Sequence, residues 1–191
     1  WENDLNIENA LVEIDGYASI IDQDAFEGIE KKVIAELRDG LVQGSLPLDT
    51  LQKSLESRQS SYWYSKYEHL YEAFRAAGNL VDLIRQVDFG FESSSQAVEN
   101  YIETYHKIDQ LYRQYSYHAV QGRQATLLDE LTDEIERRYS NQFLLQLNDR
   151  FQSLLDGESS WPIEGLDYQR NFFNKHVRPF LQKGNKLFVV I

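Results

Sequence analysis

Residues 61–86, "SYWYSKYEHLYEAFRAAGNLVDLIRQ", decide the fold class. Trp63, Tyr67, Leu70, Phe74, Ala77, Val81 and Ile84 follow one another at alternating intervals of four and three. That spacing lines them up as one apolar stripe on a helix, whereas a half-buried strand would repeat every second residue. The same rule reads outward from this stretch. Residues 93–120 carry Val98, Tyr101, Tyr105, Ile108, Tyr112 and Tyr115 in line, and Ser93 with Gln96 three positions on forms a capping-box start. Residues 125–156 carry Leu128, Leu131 and Ile135, then Phe143, Leu147, Phe151 and Leu154, with a kink near Ser140–Asn141. Shorter helices are predicted over Asp24–Leu41, Asp49–Arg58 and Asp167–Gln182, and Leu5–Ile14 reads as helical too. Gly40, Gly44, Pro47, Gly90, Gly122, Gly157, Pro162 and Gly184 mark the joints. The expectation is an all-α, multi-helix bundle of roughly six helices.

One segment departs from this. "KLFVVI", Lys186–Ile191, is short, rich in β-branched residues and preceded by the turn-like "KGN". Burying each apolar side chain of such a run is worth roughly 1.5–3 kcal/mol, so it is not expected on a loose end. An unbroken apolar strand suits a parallel sheet covered on both faces, and nothing else in the chain offers it a partner strand. The predicted division is therefore a helical domain over 1–185 and, over 186–191, the start of the first strand of a following domain. The absence of methionine, even at position 1, agrees with an internal piece of a longer protein.

Composition narrows the function. There are 191 residues, 42% of them hydrophobic, which is enough for a core and too many for a disordered chain. No apolar run approaches the about 18 residues that cross a bilayer, and the acidic opening "WENDLNIENAL" is no secretory signal, so no membrane partner is expected. Without cysteine there is no disulfide frame, thiolate metal site or thiol nucleophile, and a reducing cytoplasmic setting is the simplest fit. The net charge is −12, yet residues 168–191 hold Arg170, Lys175, Arg178, Lys183 and Lys186 and no acid; this +5 segment leaves −17 for residues 1–167. So acidic a body repels phosphate backbones, and no direct binding of nucleic acid is expected.

Few constellations carry chemistry. Glu103-x-x-His106 has the spacing of a carboxylate-bridged di-iron helix, but the second such pair is missing. The alternative of a metal-binding helical-bundle enzyme using Glu103 and His106 rests on that pair alone. Asp88-Phe89-Gly90 matches the letters of a kinase magnesium loop without the motifs that accompany it. No phosphate loop, dinucleotide fingerprint or serine elbow is present, so no catalytic or metal-ligating residue is assigned and no cofactor is expected in this chain. Most of the twelve tyrosines fall between Tyr62 and Tyr117. Tyrosine combines an apolar body with a polar tip and suits helix seams and protein interfaces. Tyr62, Trp63, Tyr64, Tyr67, Tyr71, Tyr112, Arg113 and Tyr117 are the candidate partner-binding residues.

The ordered series "SRQSSYWYSKYEHLYEAFRAAGNL", "YHKIDQLYRQY", "IERRYSNQFLLQLNDRF" and "YQRNFFNKHVRPFLQKGNKLFVVI" resembles the region preceding the hydrolase domain in PglZ-type proteins of bacterial BREX phage-defence systems. The resemblance covers roughly residues 25–191. It implies that "KLFVVI" opens an alkaline-phosphatase-superfamily domain and that the first metal-binding aspartate lies beyond Ile191. It also implies a parent that is a divalent-metal-dependent phosphoryl-transfer hydrolase, whose metal ligands lie outside this chain. No family catalytic residue maps onto a position here. What it implies for residues 1–191 is a non-catalytic interaction and positioning domain. Its expected partners are the C-terminal hydrolase domain and another BREX protein, BrxB. A purely structural cover for the hydrolase, made through the basic 168–186 segment, is the alternative.

Overall fold

The computed structural model describes residues 6–122, 125–157 and 168–183. At its centre stands α4 (Tyr64–Gln86), the helix on which the sequence reading rests. Tyr67, Leu70, Phe74, Ala77, Val81 and Ile84 are all buried, as the stripe requires, and Trp63 sits half-buried just before the first turn. The burial extends further round than one stripe. Tyr71, Ala73, Ala76, Gly78 and Leu80 are covered as well, because helices pack on several sides of α4. These are α2 (Glu27–Gln43), α3 (Leu48–Arg58) and α6 (His106–Gln121). Small residues set the closest approach. A Cβ on Gly78 would overlap Leu51 Cδ2 of α3, so a side chain there would have to displace the buried Leu51 side chain.

The helix ends have local causes. α2 stops at Gly44, whose φ of 66° is left-handed backbone that glycine adopts without strain, and whose N–H reaches the Gly40 and Leu41 carbonyls. α2 begins at Glu27 and not at Asp24, because Asp24 is engaged elsewhere: its carboxylate accepts the Tyr62 N–H and its carbonyl accepts Trp63 Nε1–H. α5 (Ser94–Asn100) starts as the capping box predicts, with Ser93 Oγ accepting the Gln96 N–H at 3.2 Å. The Gln96 side chain, however, reaches back one residue further, to the Glu92 N–H.

Two long helical runs each contain a π-turn. Residues 94–121 pass through one at Tyr101–Tyr105, between α5 and α6. Residues 125–155 pass through another at Arg138–Leu144, between α7 (Ala125–Arg137) and α8 (Leu145–Leu155). A π-turn inserts one extra residue and rotates everything beyond it around the helix. The kink expected near Ser140–Asn141 is this second turn, which lets Ile135 and Phe143, eight positions apart, both be buried completely. The first turn corrects the expected stripe. Tyr105, Ile108 and Tyr115 face the core, but upstream of the turn Ala97 is buried, again eight positions from Tyr105, while Tyr101 is 40% exposed.

The two π-turns meet in an aromatic cluster. Tyr105 and Phe143 lie edge to face with centroids 6.1 Å apart, and Phe89 touches both rings. In Asp88-Phe89-Gly90, which follows the end of α4, the Asp88 carboxylate accepts the Gly90 N–H and Phe89 packs into the cluster.

A smaller cluster of Leu11, Ile20 and Ile29 ties α1 (Ile7–Val12) and a 3₁₀ turn at Tyr17–Ser19 to the start of α2. Residues 168–183 form a 3₁₀ turn, a π-turn and α9 (Arg178–Gln182). Only Val177 is buried there, while Phe172, Phe173, Phe180 and Leu181 are each about half exposed. Among the described residues there is helix and no strand, the all-α fold that was expected. The strand-like segment 186–191 and the domain boundary before it lie outside the described residues.

Candidate functional site

The site is built on two charged residues that occupy apolar positions. Arg58 continues the face of Leu51 and Leu55 on α3, and Glu30 continues that of Val33, Leu37 and Leu41 on α2. Both are essentially inaccessible, with exposures of 1% and 0%. Arg58 Nη2 donates to Glu30 Oε2 in a direct ion pair and to Ser61 Oγ at 2.6 Å. Its Nη1 donates to the carbonyls of Ile21 and Gln23, at 2.7 and 2.8 Å. The other Glu30 oxygen accepts the Tyr71 hydroxyl at 2.5 Å. Burial, reinforced by that hydrogen bond to a carboxylate, holds the Tyr71 phenol far above its ordinary pKa, so it remains a donor. Of the whole network only Arg58 Nε lacks a hydrogen-bond partner. A buried pair of this kind defines geometry more than it adds stability, because desolvation offsets much of its attraction.

The geometry it defines is a corner between α3 and α4. Ser61 Oγ accepts the Trp63 N–H and donates to Glu30. The Tyr62 N–H and the Trp63 indole N–H are both held by Asp24, each at 3.0 Å. On this fixed backbone Tyr62 is 77% exposed, with its ring edge-on to Trp63 at 5.1 Å. Lys66 Nζ lies 5.7 Å from the Trp63 ring and pairs with Glu27. That ammonium and the Tyr67 hydroxyl hold the Glu27 carboxyl below its usual pKa. The result is an exposed Tyr62 ring resting edge-on against a half-buried, hydrogen-bonded Trp63, with the carboxylates of Asp24 and Glu27 alongside.

The remaining candidates divide. Tyr67 and Tyr71, at 3% and 0% exposure, are core residues and not surface ones: their rings fill the interior and their hydroxyls donate to Glu27 and Glu30. Tyr64 is half-buried, stacked on Tyr71 at 5.6 Å with its hydroxyl on Glu72. Tyr112 is half-buried as well, stacked on Tyr139 at 3.9 Å. Tyr139 and Tyr101 both donate to Asp109; burial first and then that bond raise the Tyr139 phenol, and the bond to Asp109 raises the Tyr101 phenol, above the ordinary pKa. Arg113 and Tyr117 are exposed on α6, Tyr117 edge-on to His69 and His118. Glu103 is exposed within the first π-turn, and His106 Nδ1 lies 3.3 Å from the Tyr101 carbonyl. Among the described residues no three acids or histidines are grouped to hold a metal. No helix of the described residues is long and apolar enough to cross a membrane.

The chain is 34% identical over 177 residues to the alkaline phosphatase-like protein BrxZ of Escherichia coli O9:H4 (strain HS), a match covering 85% of this chain and 20% of that protein. It is 26% identical over 175 residues to the alkaline phosphatase-like protein PglZ of Bacillus cereus (strain H3081.97), covering 90% of this chain and 20% of the relative. The chain is a homologue of the PglZ-type proteins. It spans about one fifth of the length of these curated relatives. No protein-family model and no solved structure matches it. The relatives are named for phosphatase-like chemistry, and the described residues of this chain form an all-helical assembly without a group of three or more acids or histidines to hold a metal.

Proposed function

We propose that this chain is the non-catalytic, N-terminal interaction and positioning module of a BREX phage-defence PglZ-type hydrolase, and that it recruits a second BREX component. The divalent metal and phosphoryl-transfer chemistry belong to the hydrolase part of that protein. The observation that carries the recruitment reading is the Tyr62–Trp63 corner. A 77% exposed Tyr62 ring, carried on backbone that Asp24 and the Ser61 corner hold in place, has less freedom to lose on binding than one on a loose loop. BrxB is the partner to test. In calorimetry of the chain with BrxB, Tyr62→Ala and Trp63→Ala are each expected to weaken binding by about 2 kcal/mol, roughly thirty-fold, as interface hot spots do. Val120→Ala, at a separately exposed apolar position, serves as control and is expected to change little. No binding by the unmutated chain at tens of micromolar, or equal loss in all three variants, refutes the reading.

One observation favours a second reading. Residues 168–183 combine half-exposed Phe172, Phe173, Phe180 and Leu181 with Arg170, Lys175 and Arg178. That face would suit a structural cover seated on the hydrolase part of the same protein. If so, Phe173→Ala weakens the contact between the two parts and leaves partner binding unchanged.

A further inference from the structure

The sequence holds four histidines, and two of them meet. His69 on α4 and His118 on α6 approach with Nδ1 to Nδ1 at 3.0 Å, rings tilted by 42° and centroids 5.3 Å apart. In neutral imidazoles one Nδ1 carries the hydrogen and the other accepts it. The separation is also close to what a metal ion requires. Two imidazole nitrogens bound at about 2.0–2.1 Å to one tetrahedral ion stand about 3.3 Å apart, so the rings need to part by only a few tenths of an ångström.

The surroundings suit a cation. Glu68 and Glu72 on α4 act electrostatically on His118, in the sense that favours a cation, and Arg75 shares the adjoining cavity. Tyr117 lies edge-on to both rings and restrains their planes. Burial, with His69 alongside, lowers the pKa of His118, so near pH 7 its ring is in the neutral form that binds metals. His118 also borders a polar cavity of about 180 Å³, walled by Glu72, Arg75, Asn79 and Gln114. At about 30 Å³ per water that is space for several water ligands. Among the described residues no third acid or histidine closes the site.

We propose that His69 and His118 form a two-histidine site for a borderline divalent transition ion such as zinc or nickel, held between α4 and α6, with water in the remaining positions. Imidazole favours such ions over magnesium or calcium. On binding, each Nδ1 donates its lone pair to the ion, and the hydrogen now shared between the two moves to Nε2 of its own ring. No proton is released where both rings are neutral. The ion fastens the helix pair on which the bundle centres. This is independent of the recruitment reading and of any metal in the hydrolase part.

The test uses the full chain and the metal alone. Calorimetry with Zn²⁺ is expected to give one ion per chain. His69→Gln and His118→Gln should each weaken binding by more than about ten-fold, the lower limit seen when even a supporting contact at a metal site is lost. His106→Gln should leave it unchanged. NMR of the unmutated chain with substoichiometric Ni²⁺ supplies a reading that does not depend on how the variants fold. Paramagnetic broadening confined to the His69 and His118 ring protons is expected. No binding tighter than about 1 mM overturns the proposal, as does broadening spread equally over all four histidines.

Discussion

Arg58 and Glu30 carry opposite charges at positions where the helical stripes call for apolar side chains. Neither could stay there alone, because an unpaired buried charge is several kcal/mol less favourable than a paired one. Glu30→Ala leaves the buried guanidinium without its counter-charge and the Tyr71 hydroxyl without its acceptor, and is expected to lower unfolding free energy by about 3–5 kcal/mol in urea titration. Lys66→Ala breaks an ion pair whose lysine is 52% exposed, and should change stability by less than about 1 kcal/mol. A similar result for both variants would show that the buried pair braces nothing. His118 makes a second prediction at this scale. Burial and His69 depress its pKa below 6.5, so the unfolded chain binds the proton more readily than the folded one. Stability is then full above about pH 6.5 and declines as the pH falls through and below that value. In metal-free buffer, His118→Gln should flatten this part of the stability–pH curve, measured as the urea midpoint between pH 7.5 and 5.

At the scale of elements, the two π-turns explain what hydrophobic period alone could not. A strict alternation of three and four places Val98 and Tyr101 in line with Tyr105, yet the extra residue of the first turn brings Ala97 inward and leaves Tyr101 exposed. Removing one residue from that turn should therefore be tolerated. Deletion of Ile102, 66% exposed, restores a regular seven-residue interval between Ala97 and Tyr105 and is expected to cost less than about 2 kcal/mol. Deletion of Gln114, exposed in the middle of α6, turns Tyr115 away from the core and should abolish cooperative unfolding. Circular dichroism during denaturation separates the two, and equal damage from both would contradict this account. α4 was legible because its pattern depends only on the α-helical repeat, and the jump from Ile135 to Phe143 marked the second turn as a kink. The buried network left a fainter trace, a charge on each of two apolar faces, which becomes readable only once α2 and α3 are known to face each other. The exposure of the candidate partner-binding residues was legible only in part. Periodicity places a tyrosine on a face, but burial on several sides of α4 took Tyr67 and Tyr71 into the core and left Tyr62 at the corner.

Over the whole molecule the distribution of charge and apolar surface separates two regions. Residues 1–167 carry −17, and the described ones among them hold the buried apolar core, while residues 168–183 carry basic groups beside exposed aromatic ones. The same amino acid should then contribute very differently in the two. Phe143, 0% exposed among Tyr105, Phe89 and Tyr139, lies where three helical runs converge. Phe143→Ala is expected to lower unfolding free energy by about 3–5 kcal/mol, the transfer loss plus the cavity left behind. Phe173, 55% exposed, has little to lose, and Phe173→Ala should fall within about 1 kcal/mol of the unmutated chain. The ratio is what matters, because it tests whether the basic segment contributes to the bundle or keeps its apolar face for something else. A loss at Phe173 comparable to that at Phe143, read from urea unfolding at fixed pH and salt, would mean that the segment is part of the bundle's core. It would also remove the ground for seating it on the hydrolase part. A small loss at Phe173 with a full loss at Phe143 leaves a stable helical body whose aromatic, basic edge has no role in holding that body together.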